Sequence, residues 1–292
     1  RTITITTVGA TMAAGSQHIL ACSNVRTPSS VVAVNNIIAT TRDSQDQNID
    51  TTSSMTTDQI VPGDLTAAEF DASTDTLGFL NQAIVLFSTA GQVAVGGKIE
   101  LVLPSLTATD GWRFETPTIT FTTPTSGAPT ATASFDATTR TLTLTTASAK
   151  MSGQTQFVFS ITNVHTPSSI TSATTMQATT RDSFNKTIDS TSAMVVDQIV
   201  AGSFTGARSF ATATDTPGFL NTATVSFTPT GDIGVGGSIE IVMPTLSGVQ
   251  SPWSFESPVT SWTTPSTAAA TAQSTTWNSA TRTLTIVTAT TE

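Results

Sequence analysis

The sequence is short of most groups that chemistry uses. It has no tyrosine, one cysteine (Cys22) and two histidines (His18 and His165). A single thiol excludes an intrachain disulfide framework and a cysteine-ligated metal site. Eleven residues are Lys or Arg against 20 Asp or Glu, for a formal net charge of -9. That balance leaves no basic stripe, so nucleic acid is not an expected partner. No apolar run reaches the roughly 18–20 residues of a membrane-spanning helix, so no membrane span is expected in this segment.

What is abundant is the small hydroxyl. The chain holds 64 Thr and 33 Ser, about a third of its 292 residues, and 38% of it is hydrophobic. That apolar fraction is enough for a core. Thr, Val and Ile favour strands over helices, so an all-β protein is expected. Period-2 alternation marks strands at 1–7, 83–87, 98–103, 118–121, 141–144, 157–161, 221–227, 238–243 and 282–287. Gly96-Gly97, Gly236-Gly237, Pro104 and Pro244 punctuate them.

The chain also repeats itself, with a unit of about 140 residues. The segment 24–30, from Asn24 to Ser30, returns as Asn163 to Ser169, and Asp58-Gln59-Ile60-Val61 returns as Asp197-Gln198-Ile199-Val200. Gly78-Phe79-Leu80-Asn81 returns as Gly218-Phe219-Leu220-Asn221, and Arg140-Thr141-Leu142-Thr143 returns as Arg282-Thr283-Leu284-Thr285. The spacing lengthens slightly along the chain, as single-residue insertions in turns would make it. In sequence phase the copies are 1–139, 140–281 and 282–292, the last being the start of a third. That pattern reads as a window on a longer repetitive chain. It is also compatible with an overhanging strand that completes a neighbour's sheet.

Phe135 and Arg140 flank a polar turn, which pairs the strand at Arg140 with the one before it. The expected frame is therefore 1–65 as the C-terminal part of a unit, 66–206 as a complete unit and 207–292 as the N-terminal part of the next. About nine or ten short strands per unit favour a two-sheet β-sandwich. The pattern of the whole chain resembles the broad class of immunoglobulin-like tandem repeats in large secreted or surface proteins. It departs from that class in unit length, in lacking the Cys…Trp…Cys spacing and in lacking any tyrosine for a tyrosine corner. The resemblance implies a stalk or filament role.

Few residues suggest chemistry. Neither histidine recurs: His18 aligns with Phe157, and His165 with Arg26. There is no G-x-S-x-G elbow, P-loop or H-E-x-x-H motif, so no enzyme is expected. Cys22 aligns with Ile161 and reads as a buried, inert thiol. Trp112 and Phe114 recur as Trp253 and Phe255 in a W-x-F-E-x-P pattern, read as core pins or, alternatively, as a sugar-stacking platform. Among the recurring carboxylates, Asp43 and Asp50 return as Asp182 and Asp189, and Asp75 returns as Asp215. Structural calcium is a candidate cofactor, with Asp43, Asp50, Asp182 and Asp189 as its candidate ligands; ion pairing with Arg42 is the plain alternative. Asn185-Lys186-Thr187 is the one N-glycosylation sequon, and the hydroxyl-rich stretches 116–132 and 260–276 suit O-glycans.

The functional expectation is a structural subunit of an extracellular filament, surface appendage or cell-envelope fibre, self-associating with identical units or neighbouring repeats. The alternative is an adhesin stalk or carbohydrate-binding repeat module. Either places the protein outside the cell or on its surface.

Overall fold

A computed structural model describes residues 2–106, 111–248, 252–263 and 271–289. The chain divides into two compact units, 1–28 with 32–60, and 29–31 with 61–292.

The first unit contains one antiparallel hairpin, β1 (Asn36–Arg42) and β2 (Asn48–Thr56), in register from Asn36↔Thr56 to Arg42↔Asn48. Asp43 closes its turn, its Oδ1 accepting the Gln45 and Gln47 backbone N–H groups at 3.0 and 2.7 Å. Arg42 binds locally, donating from Nη1 to the Asp46 carbonyl at 2.8 Å. The apolar side chains Ile37, Ile49 and Met55 stay exposed. The alternating segment expected as a strand at 1–7 forms none over residues 2–7. A strand needs an edge to pair with, and this one has no ladder among the described residues.

Among the described residues, the second unit carries sixteen strands. They are β3 (Gly63–Asp64), β4 (Thr66–Ala72), β5 (Leu80–Thr89), β6 (Lys98–Val102), β7 (Arg113–Phe114), β8 (Ile119–Thr123), β9 (Thr130–Asp136), β10 (Thr141–Ala147), β11 (Thr155–His165), β12 (Thr174–Arg181), β13 (Thr187–Val196), β14 (Thr205–Thr212), β15 (Ala223–Thr228), β16 (Ser238–Val242), β17 (Thr271–Asn278) and β18 (Thr283–Ala289). Strands β3–β13 form a single 11-stranded sheet in the order β7-β11-β5-β4-β13-β12-β6-β10-β9, with β3 beside β13 and β8 beside β11. At the far end β9 lies against β8, so the sheet curls into a nearly closed barrel. Most ladders are antiparallel; β13 runs parallel to β3 and β4.

Alternation explains the core. In β10 the inward set is Leu142, Leu144 and Thr146. In β5 it includes Ala83, Val85 and Phe87, and in β11 Phe157, Phe159 and Ile161. Threonines that point inward satisfy their hydroxyls: Thr146 Oγ1 donates to the Ala94 and Gly97 carbonyls at 2.9 and 3.0 Å. Two small sheets follow, β14-β15 and β16-β18-β17, the latter over a minor core of Ile239, Leu284 and Ile286.

This architecture corrects the expected fold, tandem two-sheet immunoglobulin-like sandwiches. A sandwich divides its strands between two separate sheets. Here β12 pairs with β13 on one side and β6 on the other, and these ladders join the strand sets of both halves into one sheet. Alternation fixes which face is buried in either architecture, so it cannot tell a barrel from a sandwich. The filament-subunit function built on tandem sandwiches falls with that fold, as does the immunoglobulin-like resemblance. The third-copy start is likewise no overhang: β18 is the central strand of its own sheet, and residues 290–292 lie outside the described residues.

Candidate functional site

Three carboxylates meet where two parallel strands end. Strands β4 and β13 pair at Val195↔Glu69 and Val196↔Phe70. The next residue on each strand is an aspartate, Asp71 on β4 and Asp197 just past β13. Asp75 follows on the β4–β5 connection. Their carboxylate oxygens lie within 4.8 Å of one another, and each residue is half-buried. The loop is fixed by its backbone: Val200 N–H donates to the Asp75 carbonyl at 2.8 Å and Leu77 N–H to the Val200 carbonyl at 3.4 Å. Asn81 Nδ2 reaches back to the Thr74 carbonyl at 2.9 Å.

The electrostatics are strained in one direction. Burial raises the Asp71 carboxyl above its ordinary range, and the charges of Asp197, Asp75 and Glu69 raise it further. Asp75 is raised by burial and then by Asp197. Among the described residues, the charges that act on these two groups are negative. Asp75 Oδ1 is moreover a buried acceptor with no hydrogen-bond partner among the described residues. Three close, mutually repelling carboxylates with an unsatisfied oxygen can hold a divalent cation.

The four predicted calcium ligands are placed otherwise. Asp182 Oδ1 accepts the Phe184 and Lys186 N–H groups at 2.9 and 2.8 Å, capping the β12–β13 turn as Asp43 caps its own. Asp189 is fully buried; it accepts Gly91 N–H at 2.9 Å and the Thr180 hydroxyl at 3.2 Å. Burial raises the Asp189 carboxyl, and these hydrogen bonds oppose the rise. Asp50 is exposed and accepts the Thr41 hydroxyl. None of the four belongs to the three-carboxylate group. Arg181 pairs across strands with Glu100, Nε to Oε2 at 2.6 Å, rather than with a neighbouring aspartate.

Trp112 is buried edge-on to Phe70 at 5.2 Å, and Phe114 packs at a tilt against Phe135 at 4.9 Å. Trp253 meets Phe210 in the same manner at 5.5 Å but is 39% exposed; Phe255 packs on Trp277 at 4.8 Å. No flat aromatic platform is formed by Trp112. Asn185 is exposed on the β12–β13 turn, its Oδ1 3.4 Å from Lys98 Nζ. Cys22 is exposed rather than buried. Of the stretch 260–276, residues 264–270 lie outside the described residues.

Recurrence between copies is what hid the cluster. Asp75 and Asp197 recur as Asp215 and Asp58, but Asp71 stands where the second copy has Ala211. Asp71 therefore has no recurrence to mark it. The legible signal was the Asp71-x-x-x-Asp75 spacing at a strand end. No protein-family model matches the chain, and no curated protein matches it either.

Proposed function

We propose that this protein is a non-enzymatic binding module of the adhesin type, an extracellular β-barrel that takes up calcium at Asp71, Asp75 and Asp197 and engages carbohydrate through it. The three-carboxylate group carries this reading. Calcium takes roughly six to eight oxygen ligands in flexible geometry. Three carboxylates supply part of that set, and the cation relieves the repulsion that raises Asp71 and Asp75. The remaining positions are oxygen positions, suited to water or to the vicinal hydroxyls of a sugar. Half-burial keeps them within reach of a ligand. An exterior rich in Thr and Ser adds donors and acceptors that match a polyhydroxylated partner.

Binding of the purified chain to immobilised glycans, with calcium and then with a chelator, tests the reading. The expected result is binding that disappears with the chelator and in Asp71→Asn while circular dichroism stays unchanged. Glycan binding indifferent to both, or no glycan bound at all, contradicts it.

A further inference from the structure

Two turns of this chain share one scaffold and differ at the tip. Asp43 opens the β1–β2 turn and Asp182 the β12–β13 turn. Asp43 Oδ1 accepts N–H groups at 3.0 and 2.7 Å, and Asp182 Oδ1 accepts them at 2.9 and 2.8 Å. Arg42 and Arg181 each donate from Nη1 to the carbonyl four residues on, at 2.8 and 3.4 Å. Asp46 and Asn185 take the left-handed position, with φ of 63° and 65°. The backbone therefore asks nothing of the side chains displayed between these anchors. The first turn displays Gln45 and Gln47; the second displays Phe184 and Lys186. Phe184 is 83% exposed.

The chain's three lysines gather at this end of the barrel. Lys186 is on the turn itself, and Lys98 Nζ lies 3.4 Å from Asn185 Oδ1. Lys150, on the β10–β11 connection, donates to Gln92 Oε1 at 3.0 Å, and the Val93↔Met151 bridge ties that connection to the one between β5 and β6. The β5–β6 connection also brings Val95, 53% exposed. A Cβ at its Gly96 would sit 3.8 Å from Ser183 Cβ. At the equivalent positions of the other copies stand Gln47, Ser238 and Thr11, so the fold does not require lysine there. Of the carboxylates on these strands and turns, Asp182 and Asp189 are buried and hydrogen-bonded, Glu100 pairs with Arg181, and Asp64 is exposed. Asp71, Asp75 and Asp197 gather beyond the far end of β13, a ten-residue strand about 33 Å long. That is several Debye lengths of about 8 Å at physiological ionic strength.

We propose that this end of the barrel docks on an anionic lipid bilayer, with Phe184 entering the interface and Lys98, Lys150 and Lys186 meeting the acidic headgroups. A turn tip that projects an aromatic ring into solvent encloses no discrete ligand. It can enter a surface that yields around it, and a bilayer interface does. The turn's own hydrogen bonds hold Phe184 in place beforehand, so little ordering is left to pay for on contact. Val95 adds a second apolar side chain beside it. Lysine stems are long enough to reach headgroup charge while the ring sits deeper. This face is separate from the cation site and needs no calcium.

Flotation of the full chain with vesicles tests this, in a chelator so that calcium cannot bridge aspartate to lipid. The chain is expected to float with mixed phosphatidylcholine–phosphatidylserine vesicles, to stay behind with pure phosphatidylcholine, and to be released by high salt. Lys98→Ser, Lys150→Thr and Lys186→Gln install residues that the equivalent positions already carry, so the fold is kept. Together they are expected to lower partitioning by about a hundredfold. Phe184→Gln alone, which recreates the first turn's tip, is expected to lower it by about fivefold or more. Asp71→Asn floats as the parent does, which separates this face from the cation site. A parent chain that does not float overturns the proposal, as does a triple variant that floats equally well. Unchanged flotation of Phe184→Gln overturns insertion of the ring. Retention on an immobilised uronic-acid polysaccharide without flotation makes the ligand an acidic glycan and overturns the bilayer.

Discussion

Asp50 and Asp189 show how one residue type takes its meaning from its surroundings. Both follow an isoleucine at equivalent points of the sequence, yet Asp189 is fully buried with Gly91 N–H on its carboxylate and Asp50 is exposed. Removing Asp189 leaves the part-buried Gly91 N–H and the Thr180 hydroxyl without their acceptor. Asp189→Ala is therefore expected to lower unfolding free energy by about 1–3 kcal/mol, while Asp50→Ala changes it by about 0.5 kcal/mol or less. Urea denaturation compares the two, and equal losses contradict the assignment. Gly97 is fixed by space alone. A Cβ there meets the Arg181 carbonyl at 2.7 Å and Val93 Cγ1 at 2.6 Å, so Gly97→Ala is expected to cost about 1–3 kcal/mol in the same assay. Both residues sit beside the turn chemistry that the sequence displays openly. Their roles were not legible there, because the groups that confine them arrive from distant parts of the chain, as in Arg181 over Gly97.

At the scale of elements, the parallel pair β4–β13 matters most. Parallel strands leave their ladder side by side, and so deliver Asp71 and Asp197 to one place. Folded-state pKa values of Asp71 and Asp75 are raised, so their contribution to stability is full below the unfolded carboxylate range and is lost as pH rises through the folded values. In cation-free buffer at about pH 7, Asp71→Asn is therefore expected to melt above the parent, with the gap closing as pH falls toward about 4. Added calcium raises the parent's melting temperature and leaves Asp71→Asn unmoved. A variant that melts below the parent without cation, or a gap that widens on acidification, contradicts the electrostatic account. Element existence was largely legible: the alternation at 83–87, 98–103, 141–144 and 157–161 marks β5, β6, β10 and β11. The parallel pairing was not, because strand partners far apart in sequence, such as Glu69 and Val195, leave no local trace. With it went the site, since neither Asp71 nor Asp197 signals the other.

At the scale of the molecule, strands from two copies of the repeat close into one barrel sheet. The sheet draws β3–β9 from one copy's phase and β10–β13 from the next, so the repeat and the folded body are out of step. The repeat was fully visible in the sequence. The closure of its strands into one sheet was not, because it depends on the β12–β6 and β13–β4 ladders that merge two strand sets. The barrel holds the three aspartates where the β4–β13 ladder ends, and its proposed function depends on what they bind. Isothermal titration of calcium into the parent chain and into Asp71→Asn tests this most directly. One calcium bound per chain in the parent and none in the variant is the expected result. No binding by the parent, or identical binding by both, contradicts it.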